Sequence, residues 1–449
     1  MFCWLGFAAA VLADETGLPD SREAIINEPV FQGQAYVYEA GLRHTRSVVL
    51  IHGIGDDAAR DWDGLIPVLA REFHVVAFDL PGFGRSTKAN RLYSPANYVA
   101  FVKYITEKYA RGRFYLIGHS MGGAVALRYA ASYPNDVDRL ILVDAAGILH
   151  RVAYSQFLSR LGIDFLPSFY PNQRAHLQNF VGKILMAVEK KLKFDPEWII
   201  ADVAARQNDL GADPGKIAGL ALVLDDFTDL IPRVEASTLI IWGGKDAIAP
   251  VRTAKVLAAN IPRAQLKVFP DSAHEPMIDN REKFNAEVLA YFRAEEIKQP
   301  AVISPASPVG ASTRVGLCKR KRDVVFSGDY DGVRIQRCTN VVVRNAHIRR
   351  LFITDSSVEI EDSDIGGADG GIYVKNGSIT MTGGKVEAPV AIDAIKSHLD
   401  FAGVKITGGE VAIRAPVKSS AIFSVSYVSS PITRGSLHGY RIITPDRPL

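Results

Sequence analysis

Along the first two thirds of the chain, hydrophobic residues fall into short continuous runs separated by stretches of helical spacing. Val48-Val49-Leu50-Ile51, Val75-Val76-Ala77-Phe78, Phe114-Tyr115-Leu116-Ile117 and Leu140-Ile141-Leu142-Val143 read as strands buried on both faces. Leu239-Ile240-Ile241-Trp242 and Leu266-Lys267-Val268-Phe269 complete that set, and Gln34 to Glu39 reads as an earlier strand. Helical spacing runs from Asp61 to Phe73, with Leu65, Leu69 and Phe73 on one face, from Tyr98 to Tyr109, and from Phe284 to Ile297. This alternation, from Val30 to about Ile297, predicts an α/β domain over residues 14–298 with a parallel sheet covered on both faces. Ligands of such sheets bind at the carboxyl ends of the strands. The alternation stops between Gly147 and Val234. That insertion, residues 148–234, is helical in pattern and rich in large apolar side chains such as Phe157, Phe165, Phe180 and Trp198. It follows a strand end, so it is expected to form a cap over the site.

Residues 299–312 carry Pro300, Pro305 and Pro308 among Ser, Ala and Gly, the composition of a linker. Over 313–449 helical spacing vanishes, and short β-rich runs alternate with Gly, Asn, Asp and Ser. Taking Leu351, Gly371, Ala391 and Val411 as unit starts gives a period of 20 residues. Several short strands per unit at that period predict an all-β solenoid; a small β-sandwich accounts for the alternation but not for the period. One period back, Cys338 and Cys318 take equivalent places in neighbouring coils. Stacked strands lie about 4.8 Å apart, so a disulfide between them is expected.

Composition narrows the class. Of 449 residues, 48% are hydrophobic and 22% charged, the balance of a globular protein, and a net charge of +3 gives no reason to expect a nucleic-acid partner. The basic run Lys319-Arg320-Lys321-Arg322 reads as a solvated strip. Phe2 to Ala13 is apolar and ends in small residues, though it lacks a basic start. It is too short for a membrane-spanning helix, which takes about 20 apolar residues, and is expected to be a signal peptide over 1–13. Export, periplasmic or secreted, follows from that reading. Cys3 would leave with the signal, and Cys318 and Cys338 remain as an even pair for an oxidising compartment.

The chemistry centres on Gly118-His119-Ser120-Met121-Gly122-Gly123, a tight turn between an apolar strand and an alanine-rich helix. Such a turn exposes the Ser120 hydroxyl near a helix N-terminus, where backbone N–H groups can hold negative charge. A serine nucleophile needs a base and an acid to orient that base. His274, in Asp271-Ser272-Ala273-His274-Glu275-Pro276, follows the last strand; Asp246 follows the strand before it through Gly243-Gly244-Lys245, and Asp144 at the previous strand end is the substitute acid. The expected oxyanion donors are the N–H groups of Met121 and of Ile54, in the turn His52-Gly53-Ile54-Gly55. No G-K-[ST] follows that turn, and no Cys/His cluster has zinc spacing, so neither cofactor nor metal is expected.

With Asp79-Leu80-Pro81-Gly82-Phe83-Gly84-Arg85-Ser86, these motifs resemble the α/β-hydrolase fold over about Val30 to Ile297, in the family's order Ser, Asp, His. The resemblance implies an acyl-enzyme route: Ser120 attacks a carbonyl, His274 moves the proton and Asp246 fixes its tautomer. Serine at the apex sets the chain apart from the dehalogenase and epoxide-hydrolase branches. The elbow is similar to those of monoacylglycerol lipases and small-ester hydrolases. The C-terminal region resembles right-handed parallel β-helices of the pectate-lyase kind, here short and read as non-catalytic, with Asp364, Asp369 and Asp393 as minor candidates for sugar or calcium chemistry. The expected activity is cleavage of a carboxylic ester with an apolar part, the solenoid contacting a glycan, surface or partner. A carbon–carbon bond hydrolase, and a binding or adhesion protein built on a hydrolase scaffold, stay open as alternatives.

Overall fold

The computed structural model describes residues 20–55, 61–149, 196–294, 312–431, 434–437 and 441–443. The expected signal peptide, the linker up to residue 311 and the first half of the cap lie outside the described residues. The described residues fall into two compact units, those of 20–148, 196–225 and 230–294 in one and those of 312–443 with 149 and 226–229 in the other.

The first unit holds strands β1 (Ser21–Glu28), β2 (Gly33–Ala40), β3 (Ser47–Ile51), β4 (His74–Phe78), β5 (Phe114–His119), β6 (Val137–Val143), β7 (Ser237–Gly243) and β8 (Ala264–Phe269). They form one sheet in the order β1-β2-β4-β3-β5-β6-β7-β8. From β4 onward every pairing is parallel, as expected of apolar runs buried on both faces. The edge differs from the expectation: β1 pairs with β2, and β2 with β4, in antiparallel register. β1 escaped the sequence reading because two of its three buried positions, Glu23 and Glu28, are charged while Ile25 is exposed, so SREAIINE shows no apolar alternation.

The segment from Asp61 to Phe73 is helical only over Ile66–Leu69. Pro67 has no N–H and is tolerated only in a first helical turn, so the periodicity there reflects burial of Leu65 and Leu69 more than a long helix. The second helix starts earlier than expected, at Pro95, with the Ser94 side chain accepting the Asn97 N–H, and the last runs over Arg281–Arg293. The described part of the expected cap is three helices, Pro196–Ala201, Val203–Leu210 and Pro214–Leu224, the last two capped by Asp202 and Asp213. Buried Arg206 bonds to the carbonyl of Ile200 and, through Nε, to Asn90 Oδ1 at 2.8 Å, tying the cap to the loop after β4. Trp198 is 51% exposed and does not pack into a cap core.

The second unit is a β-solenoid whose coils pair in parallel, closed at its last described strands by two antiparallel pairings. Apolar side chains such as Ile353, Val374 and Phe401 stack inward. At one corner Arg337, Asp355, Asn376 and Lys396 take positive φ, and each N–H bonds to a carbonyl of the next coil. Beside them the hydroxyls of Ser356, Ser397 and Ser419 accept N–H groups of the preceding coil, which keeps the corner's buried amides paired. The period is not constant. Val341 faces Val358, Val358 faces Ile379, Ile379 faces Leu399 and Leu399 faces Ala421, so coils hold 17, 21, 20 and 22 residues between matched positions. Corner turns absorb the difference, which the 20-residue alignment averaged away.

That variation corrects the cysteine argument. Cys318, on strand Val315–Lys319, sits in register with Ile335, not Cys338. Cys338 lies in the corner beyond, and the two are nevertheless bonded, with Cα atoms 6.5 Å apart. The bridge closes a loop with a sequence separation of 20 residues at the first coil. A loop of that size is worth about 3 kcal/mol. Hydrogen exchange of residues 315–336 is therefore expected to speed up about a hundredfold in Cys318→Ser/Cys338→Ser. Unchanged exchange would show that the bridge does not hold this coil.

Candidate active site

β5 ends at His119 and a helix begins at Met121, so Ser120 alone makes the turn, with φ 52° and ψ −119°. This is the strained left-handed conformation the motif requires. The flanking backbone is locked: the Ser120 N–H donates to the Val143 carbonyl and the Ser120 carbonyl accepts from Ala146, both at 3.0 Å. The sequence reason for the glycines is close approach. A Cβ on Gly118 would fall 2.2 Å from the Gly122 carbonyl oxygen, and one on Gly122 would fall 2.3 Å from that of His52.

The loops after β7 and β8 bring the other two side chains to this turn. His274 Nε2 lies 2.9 Å from Ser120 Oγ, and His274 Nδ1 lies 2.8 Å from Asp246 Oδ2. An ionised carboxylate only accepts, so Nδ1 carries the proton and Nε2 is left to receive the serine's. Asp246 Oδ1 accepts the N–H groups of Ile248 and Ala249 at 2.7 and 3.0 Å. It thus serves its own turn and the imidazole with different oxygens, and all three residues are buried.

Asp144 ends β6 with φ 44°. Its Oδ1 accepts the Gly243 N–H at 2.9 Å, while the buried Oδ2 meets no donor among the described residues. The imidazole proton goes to Asp246, so Asp144 is not the acid bonded to the base. Burial, and then the Asp246 carboxylate, push the Asp144 carboxyl well above the usual range. A raised acid holds its proton in the folded state after the unfolded chain, near pH 3.9, has released it. Fewer protons on the unfolded state mean that stability falls as pH rises, by up to about 1.4 kcal/mol per pH unit in that window. Urea unfolding of the wild type and Asp144→Asn between pH 4 and 8 is expected to show the variant gaining on the wild type as pH rises; parallel curves would mean that Asp144 ionises freely.

The turn after β3 passes directly beside Ser120, since a Cβ on Gly53 would lie 3.0 Å from Ser120 Cβ. Neither the Ile54 nor the Met121 N–H finds an acceptor among the described residues, which leaves both expected donors available. His52 braces this turn: its Nδ1 donates to the Gly53 carbonyl at 2.6 Å and its Nε2 accepts from the Leu80 N–H at 2.8 Å. His119 braces the opposite side, with Nε2 donating to the His274 carbonyl at 2.9 Å and Nδ1 lying 3.3 Å from Asp61 Oδ2. Burial opposes charge on His119, but the Asp61 carboxylate outweighs it and raises the ring's pKa. Asp61 also accepts the Gly53 N–H at 3.4 Å, so one carboxylate links the Gly53 turn, through His119, to the loop that carries His274. Sequence reading gave His52 and His119 only a turn-shaping role and missed Asp61, which no motif marks.

Over the turn lies the Pro214–Leu224 helix. A Cβ on Gly215 would lie 3.7 Å from Ile54 and 3.9 Å from Phe83, and Leu222 packs against Gly147. The helix thus meets apolar side chains of the turns beside Ser120, with the Asp213 carboxylate 3.3 Å from the same Cβ position at the helix start. Elsewhere, Asp364 faces His347 and Lys385, Asp369 bonds to Arg349, and Asp393 bonds to Arg414. Among the described residues the one group close enough to act as metal ligands is Asp144, Asp246 and His274, within 4.8 Å of one another, and its ring nitrogen is already committed to Asp246. No described helix is long and apolar enough to cross a membrane.

Residues 46–281 match the family model of the alpha/beta hydrolase fold. An uncharacterised protein of Mycobacterium tuberculosis is 32% identical over 255 residues, covering 53% of this chain and 72% of that one. A monoacylglycerol lipase of Xenopus laevis is 28% identical over 249 residues, covering 53% and 72%. Among solved structures, a meta-cleavage product hydrolase from Pseudomonas fluorescens is 25% identical with a TM-score of 0.44, covering 60% of this chain and 96% of that one. With a family match across more than half of its length and the family's motifs gathered at one sheet edge, this chain belongs to the α/β-hydrolase family.

Proposed function

We propose that the chain is a serine hydrolase that cleaves a carboxylic ester through an acyl-enzyme. The observation that carries this reading is the continuous relay Ser120–His274–Asp246, with both links under 3 Å. Ser120 Oγ attacks the ester carbonyl carbon while its proton passes to His274 Nε2. The N–H groups of Ile54 and Met121 hold the oxyanion, and the imidazolium donates its proton to the departing alkoxide. Water, deprotonated by the same nitrogen, then frees the acid and restores the serine. Asp246 keeps the imidazole in the tautomer that can accept, and offsets its charge once it is protonated. The apolar side chains Ile54 and Phe83 beside the Pro214–Leu224 helix favour a substrate with an apolar acyl or alcohol part, in line with the lipase named among the relatives. The solenoid takes no part in the chemistry. The disulfide supports an exported protein, since such bonds persist in oxidising compartments.

A fluorophosphonate probe is expected to label the wild type and not Ser120→Ala, and a p-nitrophenyl ester series should be turned over with a preference for longer acyl chains. Turnover of vinylogous diketones in place of esters would transfer the reading to carbon–carbon bond hydrolysis. Absence of labelling in folded protein would leave the domain as a scaffold.

A further inference from the structure

Asp144 is a buried carboxyl that the relay above does not use. Three facts define its setting. It ends β6 in a left-handed conformation that places its side chain against β7, where Oδ1 takes the Gly243 N–H at 2.9 Å. Its Oδ2 is buried and no N–H or hydroxyl among the described residues points at it. Its carboxyl lies within 4.8 Å of acceptor atoms of Asp246 and His274.

Lone pairs on Asp246 complete the picture. Oδ1 receives two backbone N–H groups, and Oδ2 receives the His274 ring proton. A carboxylate oxygen accepts two hydrogen bonds, so Oδ2 has one site left. An ionised Asp144 would set a second negative charge beside it with nothing to balance either. A neutral Asp144 instead carries its one O–H on the oxygen that lacks a donor, facing the one carboxylate that lacks a fourth.

We propose that Asp144 acts as a neutral carboxylic acid that donates a hydrogen bond from Oδ2 to Asp246, and is a positioning residue that aims the Asp246 carboxylate at His274 Nδ1. The charged and titratable groups facing it are Asp246 and His274 from the loops after β7 and β8, and Asp279 from the short helix beyond. None is a cation while His274 is neutral, so nothing near it competes for the proton. The kinetic consequence rests on the serine-hydrolase reading; the protonation state does not.

The test compares Asp144→Asn, whose amide can still donate, with Asp144→Ala, which cannot. In p-nitrophenyl ester hydrolysis, Asp144→Ala is expected to lose at least tenfold in kcat with KM within twofold. The acid limb of its kcat/KM profile should move to higher pH, because an Asp246 with one fewer donor holds the imidazolium more tightly. Asp144→Asn should stay within threefold of the wild type with the limb unmoved. Equal losses in both variants, or an unmoved limb in folded Asp144→Ala, would overturn the positioning role. Should Asp144→Ala fail to fold, infrared difference spectroscopy of the wild type against Asp144→Asn decides. A protonated-carboxyl C=O band at pH 8, absent from the variant, supports the proposal, and its absence from the wild type refutes it. Loss of all ester turnover in wild type with that band intact would sink the hydrolase reading alone.

Discussion

Ser120→Ala is expected to lower kcat by about 10⁵–10⁶-fold, and His274→Ala by a similar factor. The double variant should be no slower than either, because the two act as one unit: without the imidazole at 2.9 Å the hydroxyl keeps its proton, and without the hydroxyl the imidazole has nothing to activate. What persists over the solution rate would come from the Ile54 and Met121 N–H groups and from substrate binding, neither of which the substitutions touch. Both changes shrink a side chain at the sheet's edge, so folding should survive. Steady-state kinetics on an activated ester checks this directly. Losses that multiply in the double variant would show two independent contributions and no relay.

Gly122→Ala is expected to have the next largest effect, through the backbone. Its Cβ would sit 2.3 Å from the His52 carbonyl oxygen and 2.4 Å from that of Ile51. Neither atom belongs to a side chain that can rotate away, so either the Met121–Ser132 helix or the end of β3 must move. Forced displacement in a packed interior costs about 3 kcal/mol. The same shift would separate the Ile54 turn from Met121, and a lost oxyanion donor lowers kcat by about 10²–10³-fold. Gly55→Ala is the control: a Cβ there meets nothing within 4 Å among the described residues, so stability should change by less than about 0.5 kcal/mol. Urea unfolding and kcat measured on both variants test the pair. A Gly122→Ala protein as active and stable as the wild type would mean that the elbow has slack the structure does not show.

The elbow was legible because its constraints are local. A serine at φ 52° between a strand and a helix excludes a Cβ at Gly118 and Gly122 whatever the rest of the chain does. His274 and Asp246 could be chosen from sequence because parallel strands deliver their following loops to one edge, and both residues follow apolar runs that could hardly be anything but strands. β1 was not legible: at the sheet's edge it buries Glu23 and Glu28 beside Ile26 and leaves Ile25 exposed, so burial there does not follow hydrophobicity. In the solenoid the repeat was legible but its register was not, because corner turns of different length shift each coil by a few residues without disturbing the inward apolar positions.

Sequence by itself therefore determined the parallel part of the sheet and the choice of Ser120, His274 and Asp246 as candidates, since short-range sterics and strand direction leave few other arrangements. Only the tertiary structure decided how those groups are held. It divided the two oxygens of Asp246 between a turn and an imidazole, set Asp144 beside it with one oxygen lacking a donor, and joined Asp61 to the Gly53 turn and, through His119, to the His274 loop. Apart from the bonds of Asp246 to its own turn and of Asp61 to nearby Gly53, these outcomes depend on distances between residues 28 to 155 positions apart. No local pattern encodes such distances, because they are fixed by how neighbouring strands stack and where each strand ends.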